Sequence, residues 1–297
     1  MASNFDCEKV KRRIEAVEKS LEEVGEITDP SKLVVGVDLG TAYIVLVVLN
    51  ENGQAVATEM QFAQVLKDGL VVDFMGAQRI VRQLKEKLEQ RICEKTGRTS
   101  FELQYAAIAM PSNTAEAECK AHKYVVEACG LEIINMLDEP TAANRVLEIQ
   151  NGGVIDIGGG TTGLSIFKDG KVIYTMDEPT GGTHLSLVLA GNFRIPFDEA
   201  ETLKKDSSRH REIVGIVRPV IEKMGTLVKN HLVGHEVHNL YLAGGTCCLP
   251  DFENIIEKQT GVATHKPVNP FLITPLGIAI SAMDAMQLKN QAAGGRV

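Results

Sequence analysis

Eight consecutive residues, Asp156-Ile157-Gly158-Gly159-Gly160-Thr161-Thr162-Gly163, lie between two apolar runs. Each glycine in an ordered segment costs roughly 0.5 to 1 kcal/mol relative to alanine, so a bend that only reverses the chain has little reason to use three in a row. A phosphate cradle does, because removing the Cβ atoms lets an anion approach the backbone amides. Asp156, at the end of the first run, is placed to hold Mg²⁺ through water, since that hard cation takes oxygen ligands and keeps much of its hydration. Asp38-Leu39-Gly40-Thr41 repeats the outline in shorter form. Alone, it reads equally as an ordinary hairpin turn, Asp and Gly being common turn formers, or as a second anion-docking bend.

Both bends need strands to hold them. The first falls between apolar runs at 33–37 and 44–49, followed by a run at 55–60 with Asn52-Gly53 in the connecting turn, which predicts an antiparallel meander. Ile80, Val81, Leu84, Leu88 and Ile92 then mark a helix ending near Gly97. A strand at 103–110, a helix at 114–129, a strand at 131–136 and a helix from Pro140 complete an α/β half. The second bend opens a similar half, with helices at 183–190 and 213–231, a strand at 237–243, a helix at 250–259 and a closing helix at 275–286 before a frayed tail. Repetition at this spacing predicts duplicated lobes. Ahead of them, Cys7, Val10, Ile14, Val17, Leu21 and Val24 form the stripe of an amphipathic helix, which packs on its own domain, self-associates, or docks elsewhere. Thr28-Asp29-Pro30-Ser31 ends it.

Composition narrows the function classes. A chain of 297 residues, 44% hydrophobic and 24% charged, can bury a full core. Its net charge of -8 argues against nonspecific nucleic-acid binding, which relies on basic surface to displace phosphate counterions. The six cysteines show no C-x-x-C pair and no signal peptide precedes them, so reduced thiols and a cytoplasmic location are expected. No apolar stretch reads as a bilayer crossing of about 20 residues. His231, His235 and His238 have a spacing that could suit a metal, but Gly234 breaks it, and surface histidines are expected.

Taken together and in order, the motifs resemble the actin, sugar-kinase and DnaK-type chaperone superfamily, in which two phosphate hairpins clamp a nucleotide from opposite lobes. Ala107-Ile108-Ala109-Met110-Pro111-Ser112 followed by Asp138-Glu139-Pro140-Thr141-Ala142-Ala143 looks like the first interlobe connection. Gly181-Gly182-Thr183 resembles the glycine pair opening a helix behind the second hairpin. Leu242-Ala243-Gly244-Gly245-Thr246 resembles the adenosine motif, and Pro275-Leu276-Gly277-Ile278-Ala279 the second connecting helix. Within that superfamily the chain most resembles the EutJ family of ethanolamine-utilisation proteins, described as chaperone-like and associated with bacterial microcompartments.

The resemblance implies a duplicated actin-like, ribonuclease H-like α/β fold, with residues 1–29 as the N-terminal helix, 32–140 as lobe I, 141–274 as lobe II, and 275–297 as the returning helix and tail. It implies ATP or ADP with Mg²⁺ as cofactors. Asp38 and Asp156 would position the metal through water, while Gly40, Thr41, Gly158, Gly159, Gly160 and Thr161 would face the phosphates. Thr161 would also orient the attacking water, and Glu139 would face the metal-water network or serve only as a helix-start carboxylate. Gly181, Gly182, Gly244 and Gly245 would let backbone pass close to the nucleotide, with Glu222 nearby. The sequence departs from the chaperone pattern at Gly163, where those proteins carry an aspartate, and at Gly225-Thr226, where they carry a basic pair. A catalytic lysine is not placed, Lys67 and Lys85 being the nearby candidates. Losing one preorganised charge can cost about 2.7 to 4 kcal/mol of barrier, so slow turnover or binding without turnover is expected.

A nucleotide-gated, chaperone-like assembly factor follows from the resemblance, with microcompartment enzymes or shell proteins as partners. Nucleotide-dependent self-assembly is the structural alternative, since Lys67-Asp68-Gly69-Leu70-Val71-Val72-Asp73-Phe74 resembles a segment of MreB, FtsA and PilM. Sugar or acid kinases and reactivating factors for cobalamin enzymes are further readings; for the first the sequence shows no evident substrate-binding insertion, and for the second the chain is short.

Overall fold

In the computed structural model, which describes residues 5–294, the chain forms two five-stranded sheets with helices packed on each. Helix α1 (Cys7–Glu22) comes first. Lobe I then runs through β1 (Val34–Leu39), β2 (Tyr43–Leu49), β3 (Ala55–Phe62), a short hairpin of β4 (Leu66–Lys67) and β5 (Leu70–Val71), α2 (Phe74–Thr96), β6 (Tyr105–Met110), α3 (Glu116–Glu127) and β7 (Glu132–Asp138). Helix α4 (Glu139–Leu147) leads into lobe II, with β8 (Gly152–Ile157), β9 (Thr162–Lys168), β10 (Lys171–Glu178), α5 (Gly182–Phe193), α6 (Phe197–Lys204), α7 (His210–Leu232), β11 (Asn239–Ala243), α8 (Phe252–Thr260) and β12 (Ala263–His265). Helix α9 (Ile273–Gly294) closes the fold.

The sheets repeat one topology, β3-β2-β1-β6-β7 and β10-β9-β8-β11-β12. In each, an antiparallel three-strand meander is extended by two parallel strands. The expected duplication is therefore present strand for strand, including β10, which the sequence reading passed over. Its first three residues, Lys171, Val172 and Ile173, are exposed, yet Val172-Ile173-Tyr174-Thr175-Met176 is a strand signal in its own right. Helix α6 was also missed, being short and acidic at its start.

Local chemistry explains the boundaries. Asp73 caps α2 by accepting from the Gly76 amide at 2.8 Å, and Gly97 ends it at φ +68°, which costs glycine little. Asp138 caps α4 through the Thr141 amide at 2.9 Å, with Pro140 in the first turn, where a missing N–H leaves no internal bond unmade.

Helix α9 is wedged between the sheet of lobe I and α4. A Cβ on Gly36 would lie 2.4 Å from the Ala279 amide nitrogen, and one on Gly277 would lie 1.9 Å from the Ala142 carbonyl oxygen, so both contacts need bare backbone. Two expectations change here. The helix continues past Gln287 to Gly294 instead of fraying, and only residues 295–297 of the expected tail lie outside the described region. Pro270–Gln291 is also long and apolar enough for a bilayer span by length and composition, the one such helix among the described residues. More than half of that stretch is buried inside the protein, which accounts for its hydrophobicity as core.

Helix α1 lies against its own chain and touches both lobes. Val10, Ile14 and Val17 are at most 2% exposed, whereas Cys7 is exposed. Ser20 bonds Thr58 of β3 at 2.7 Å, while Lys9 and Arg13 meet Glu148, beyond α4, at 2.6 and 3.0 Å. Phe5 packs on Tyr241 of β11, with ring centres 5.0 Å apart. Burying an aliphatic side chain contributes about 1.5 to 3 kcal/mol, against about 0 to 1 kcal/mol for an exposed ion pair. The apolar stripe holds the helix, and the ion pairs set its register.

Candidate functional site

The bends that end β1 and β8 face one another across the cleft. A Cβ on Gly159 would lie 3.0 Å from Ala42 Cβ, and one on Gly160 would lie 2.7 Å from Thr41 Oγ1 and 2.8 Å from Asp68 Cα. The lobes thus touch through glycine. Gly158 differs, because nothing lies within 4 Å of a Cβ built there. The second bend is fixed from behind, where Gly158 O accepts from the Gly182 amide at 3.0 Å and from Thr246 Oγ1 at 2.7 Å, and Gly159 O accepts from the Thr183 amide at 2.8 Å.

A cavity of about 390 Å³ opens beside the two bends, within the roughly 300 to 1,000 Å³ of small-molecule sites. It is lined by Asp38, Gly40, Thr41, Glu139, Asp156, Gly158, Gly159, Gly160, Thr161, Gly244 and Gly245. Three candidates stand elsewhere. Gly181 and Gly182 form a layer behind the second bend; a Cβ on Gly181 would be 2.7 Å from Gly159 O. Glu222 does not line the cavity. Its helix, α7, buries Ile221, Met224 and Gly225 toward the lobe core and α8, leaving Glu222 to pair with Arg218 at 4.0 Å. Neither lysine candidate reaches the cavity. Lys85 is buried against Glu89 at 2.6 Å, and Lys67 sits on β4.

The cations that do line it are Lys204 and Lys205, with His210, Tyr43, Phe271, Cys248 and Thr274 among the remaining side chains. Lys204 is engaged by Glu201 at 2.5 Å, Ser186 at 2.9 Å and Gly182 O at 3.1 Å. Lys205 crosses to Tyr43 of lobe I, and Gln64 crosses in the other direction to Asp198 at 2.9 Å. The adjacent lysines at the end of an acidic helix were a visible signal, a basic pair in an acidic chain. His231, by contrast, bonds Tyr174 at 2.7 Å and Glu178 at 2.8 Å, while His238 pairs with Glu236, so the histidine triplet does not converge.

Three carboxyls, Asp38, Glu139 and Asp156, line the cavity, and a fourth, Asp177, lies near enough for its charge to act on theirs. Burial pushes Asp38 up to about 7, and the Asp156 charge adds to it. Burial also lifts Asp156 to about 6, opposed by the Thr274 hydroxyl, and Asp177 of β10 to about 7, opposed by the Thr161 hydroxyl. Glu139 is pushed well above the carboxylate range by burial, then by Asp156, Asp38 and Asp177. Such shifts arise where buried acids lack a compensating cation. The donor set suits a hydrated divalent cation. Among the described residues no three acidic, histidine or cysteine groups converge for direct ligation of a metal.

A family model described as type IV pilus assembly protein PilM matches residues 121–293. The chain is 43% identical over 255 residues to ethanolamine utilization protein EutJ of Escherichia coli strain K12, covering 86% of this chain and 87% of that one. The chain belongs to the EutJ family. The crystal structure of EutJ from Carboxydothermus hydrogenoformans superposes with a TM-score of 0.84 at 46% identity, covering 92% of this chain and 98% of that one. The actin-like fold of this EutJ-family chain extends to MreB5 of Spiroplasma citri, solved bound to AMPPNP, with a TM-score of 0.69 at 18% identity over 89% of this chain and 99% of that one.

Proposed function

We propose that this EutJ-family chain binds ATP or ADP with Mg²⁺ between its lobes and uses the resulting closure as an assembly signal in ethanolamine utilisation. What carries the reading is the convergence of a glycine bend from each lobe on one cavity, each bend preceded by an aspartate, Asp38 half-buried and Asp156 buried. The amides of both bends would donate to phosphate oxygens, and the bare Gly158 leaves room for them. Asp38 and Asp156 would hold the metal through water, and Glu139 would order the same water network. Bound Mg²⁺ supplies positive charge to phosphates and carboxylates alike. Gly244 and Gly245 would bring backbone close to the nucleoside.

Lobe closure is the output, because Lys205 and Gln64 already join the lobes across the opening. Slow hydrolysis fits a cleft in which Lys204, the best-buried cation, is consumed by Glu201 and Ser186. The chaperone-like role and the association with microcompartment enzymes or shell proteins rest on the family. Since the α1 stripe is buried in its own chain, a partner would meet other surfaces.

A self-assembling reading draws on the segment after β5. Val72 is 63% exposed and Met75 72% exposed, an apolar run on the surface of lobe I. Calorimetry with ATP and ADP, with and without Mg²⁺, tests the main reading. Micromolar or tighter binding that strengthens with Mg²⁺ supports it, and no heat with either nucleotide overturns it. Nucleotide-dependent sedimentation would move the weight to self-assembly.

A further inference from the structure

We propose that Asp177, on β10, gives the site the carboxylate that its own second hairpin lacks, and that it acts there as a positioning residue for the hydrated cation. The inference rests on the nucleotide reading above and adds a residue to it. The sheet register makes the argument. Asp156 of β8 pairs with Gly163 of β9, and Gly163 pairs in turn with Asp177 of β10. Directly opposed residues in antiparallel strands project to the same face, so the row reads Asp, Gly, Asp across three strands, with the glycine as a gap between two acids.

That gap is filled from outside β9. A Cβ on Gly163 would meet Pro140 Cγ at 3.0 Å and Asp177 Oδ1 at 3.6 Å. The volume a side chain at 163 would take is therefore occupied by the residue after Glu139 and by the Asp177 carboxyl. A carboxylate is present at this point of the site, delivered by the neighbouring strand.

The surroundings of Asp177 point inward. The Thr161 hydroxyl, in the glycine bend itself, is near enough to lower its pKa, and Asp177 lies close enough to Asp156 and Glu139 for their charges to interact. Asp177 Oδ1 is nevertheless buried with no hydrogen-bond partner among the described residues. Buried acceptors in folded proteins are nearly always paired; Asp177 does not itself line the cavity, whereas its neighbours Asp156, Glu139 and Thr161 do, so it would act on a hydrated cation through them. Asp177 thereby extends the acidic wall begun by Asp156.

The test is the Mg²⁺ dependence of AMPPNP affinity, measured by calorimetry in excess Mg²⁺ and in EDTA, with thermal melting to show that each variant is folded. In D177N, affinity in EDTA is expected to stay within about threefold of the starting protein, while the gain produced by Mg²⁺ falls by about tenfold or more. Asp177→Gly should show the same loss, whereas Asp177→Glu, which keeps a carboxylate on the same strand, should retain most of the gain. A role confined to packing would move affinity equally in both conditions. An undiminished Mg²⁺ gain in both D177N and Asp177→Gly overturns this proposal and leaves the nucleotide site standing. Absence of AMPPNP binding in the unmodified protein overturns both.

Discussion

Lys205, just past α6 in lobe II, hydrogen-bonds the Tyr43 hydroxyl of lobe I at 3.0 Å and holds its ammonium 4.8 Å from the centre of the Tyr43 ring. The same ammonium lies 5.0 Å from the Phe62 ring. This is a contact across the mouth of the cleft, made by a side chain that remains 45% exposed. A cation over an aromatic ring at such a site contributes about 0.5 to 1 kcal/mol. Lys205→Met should therefore speed nucleotide release by about two- to fivefold, measured by stopped-flow displacement of a fluorescent ADP, and the effect should shrink in high salt. An unchanged release rate would show that the contact has no part in opening.

Gly158 and Gly160 separate the ligand's demands from the fold's. Nothing surrounds a Cβ at Gly158, so Gly158→Ala should shift folding stability by no more than about 1 kcal/mol. If phosphate docks there, nucleotide affinity should still fall by at least tenfold, and calorimetry beside thermal melting reads both. Unchanged affinity in Gly158→Ala would falsify the phosphate cradle.

At Gly160 the added methyl meets Thr41 Oγ1 and the backbone of Asp68. Overpacking of this kind typically costs about 1 to 3 kcal/mol, and here the cheapest relief is to part the lobes. Gly160→Ala should give a larger radius of gyration by small-angle scattering, one that nucleotide no longer reduces. A radius identical to that of the unmodified protein would mean that the loops yield instead.

His122 on α3 predicts a pH effect away from the carboxylates. Its ring is 1% exposed, and burial pushes its pKa below the ordinary 6.5, against the opposing pull of Glu118 and the Gly69 carbonyl. The unfolded chain then takes up the proton first. Stability from this group is complete above about 6.5 and is lost as pH falls through that value toward the lowered folded one. Denaturation midpoints should drop more steeply between pH 7 and pH 5 in the unmodified protein than in His122→Gln. Parallel curves would remove His122 as the cause.

Helix α1 should behave as core. Ile14→Ala, at a position with no exposure, should cost about 2 to 5 kcal/mol, whereas Glu148→Gln, which breaks two half-exposed ion pairs, should cost at most about 1 kcal/mol. Urea denaturation compares them, and equal costs would contradict the division of labour drawn above.

Much of this was legible in the residues. The two Asp-Gly bends, the meander after the first, and the duplication could be read because glycine spacing and alternating apolar runs are local properties. The site's second layer could not. Asp177 becomes visible only when β10 is paired with β9, which places it opposite Gly163 from fourteen positions along the chain. Glu222 failed for the converse reason: its position on α7 is set by which face buries against α8, and sequence spacing does not say which way a long helix turns. Lys204 and Lys205 were passed over for Lys67 and Lys85, because nearness along the chain was used where only the folding of α6 against the cleft decides.

The placement of α9 has a consequence for biosynthesis. Its residues, 273–294, seat against β1 and α4, whose strands and turns leave the ribosome first. The sheet of lobe I must wait, with one apolar flank bare, while roughly 125 further residues of lobe II are made, on the order of 6 to 25 seconds at ordinary elongation speeds. Nascent lobe I is thus the stage most exposed to misassembly, and its sealing helix arrives only once the second lobe has had time to form.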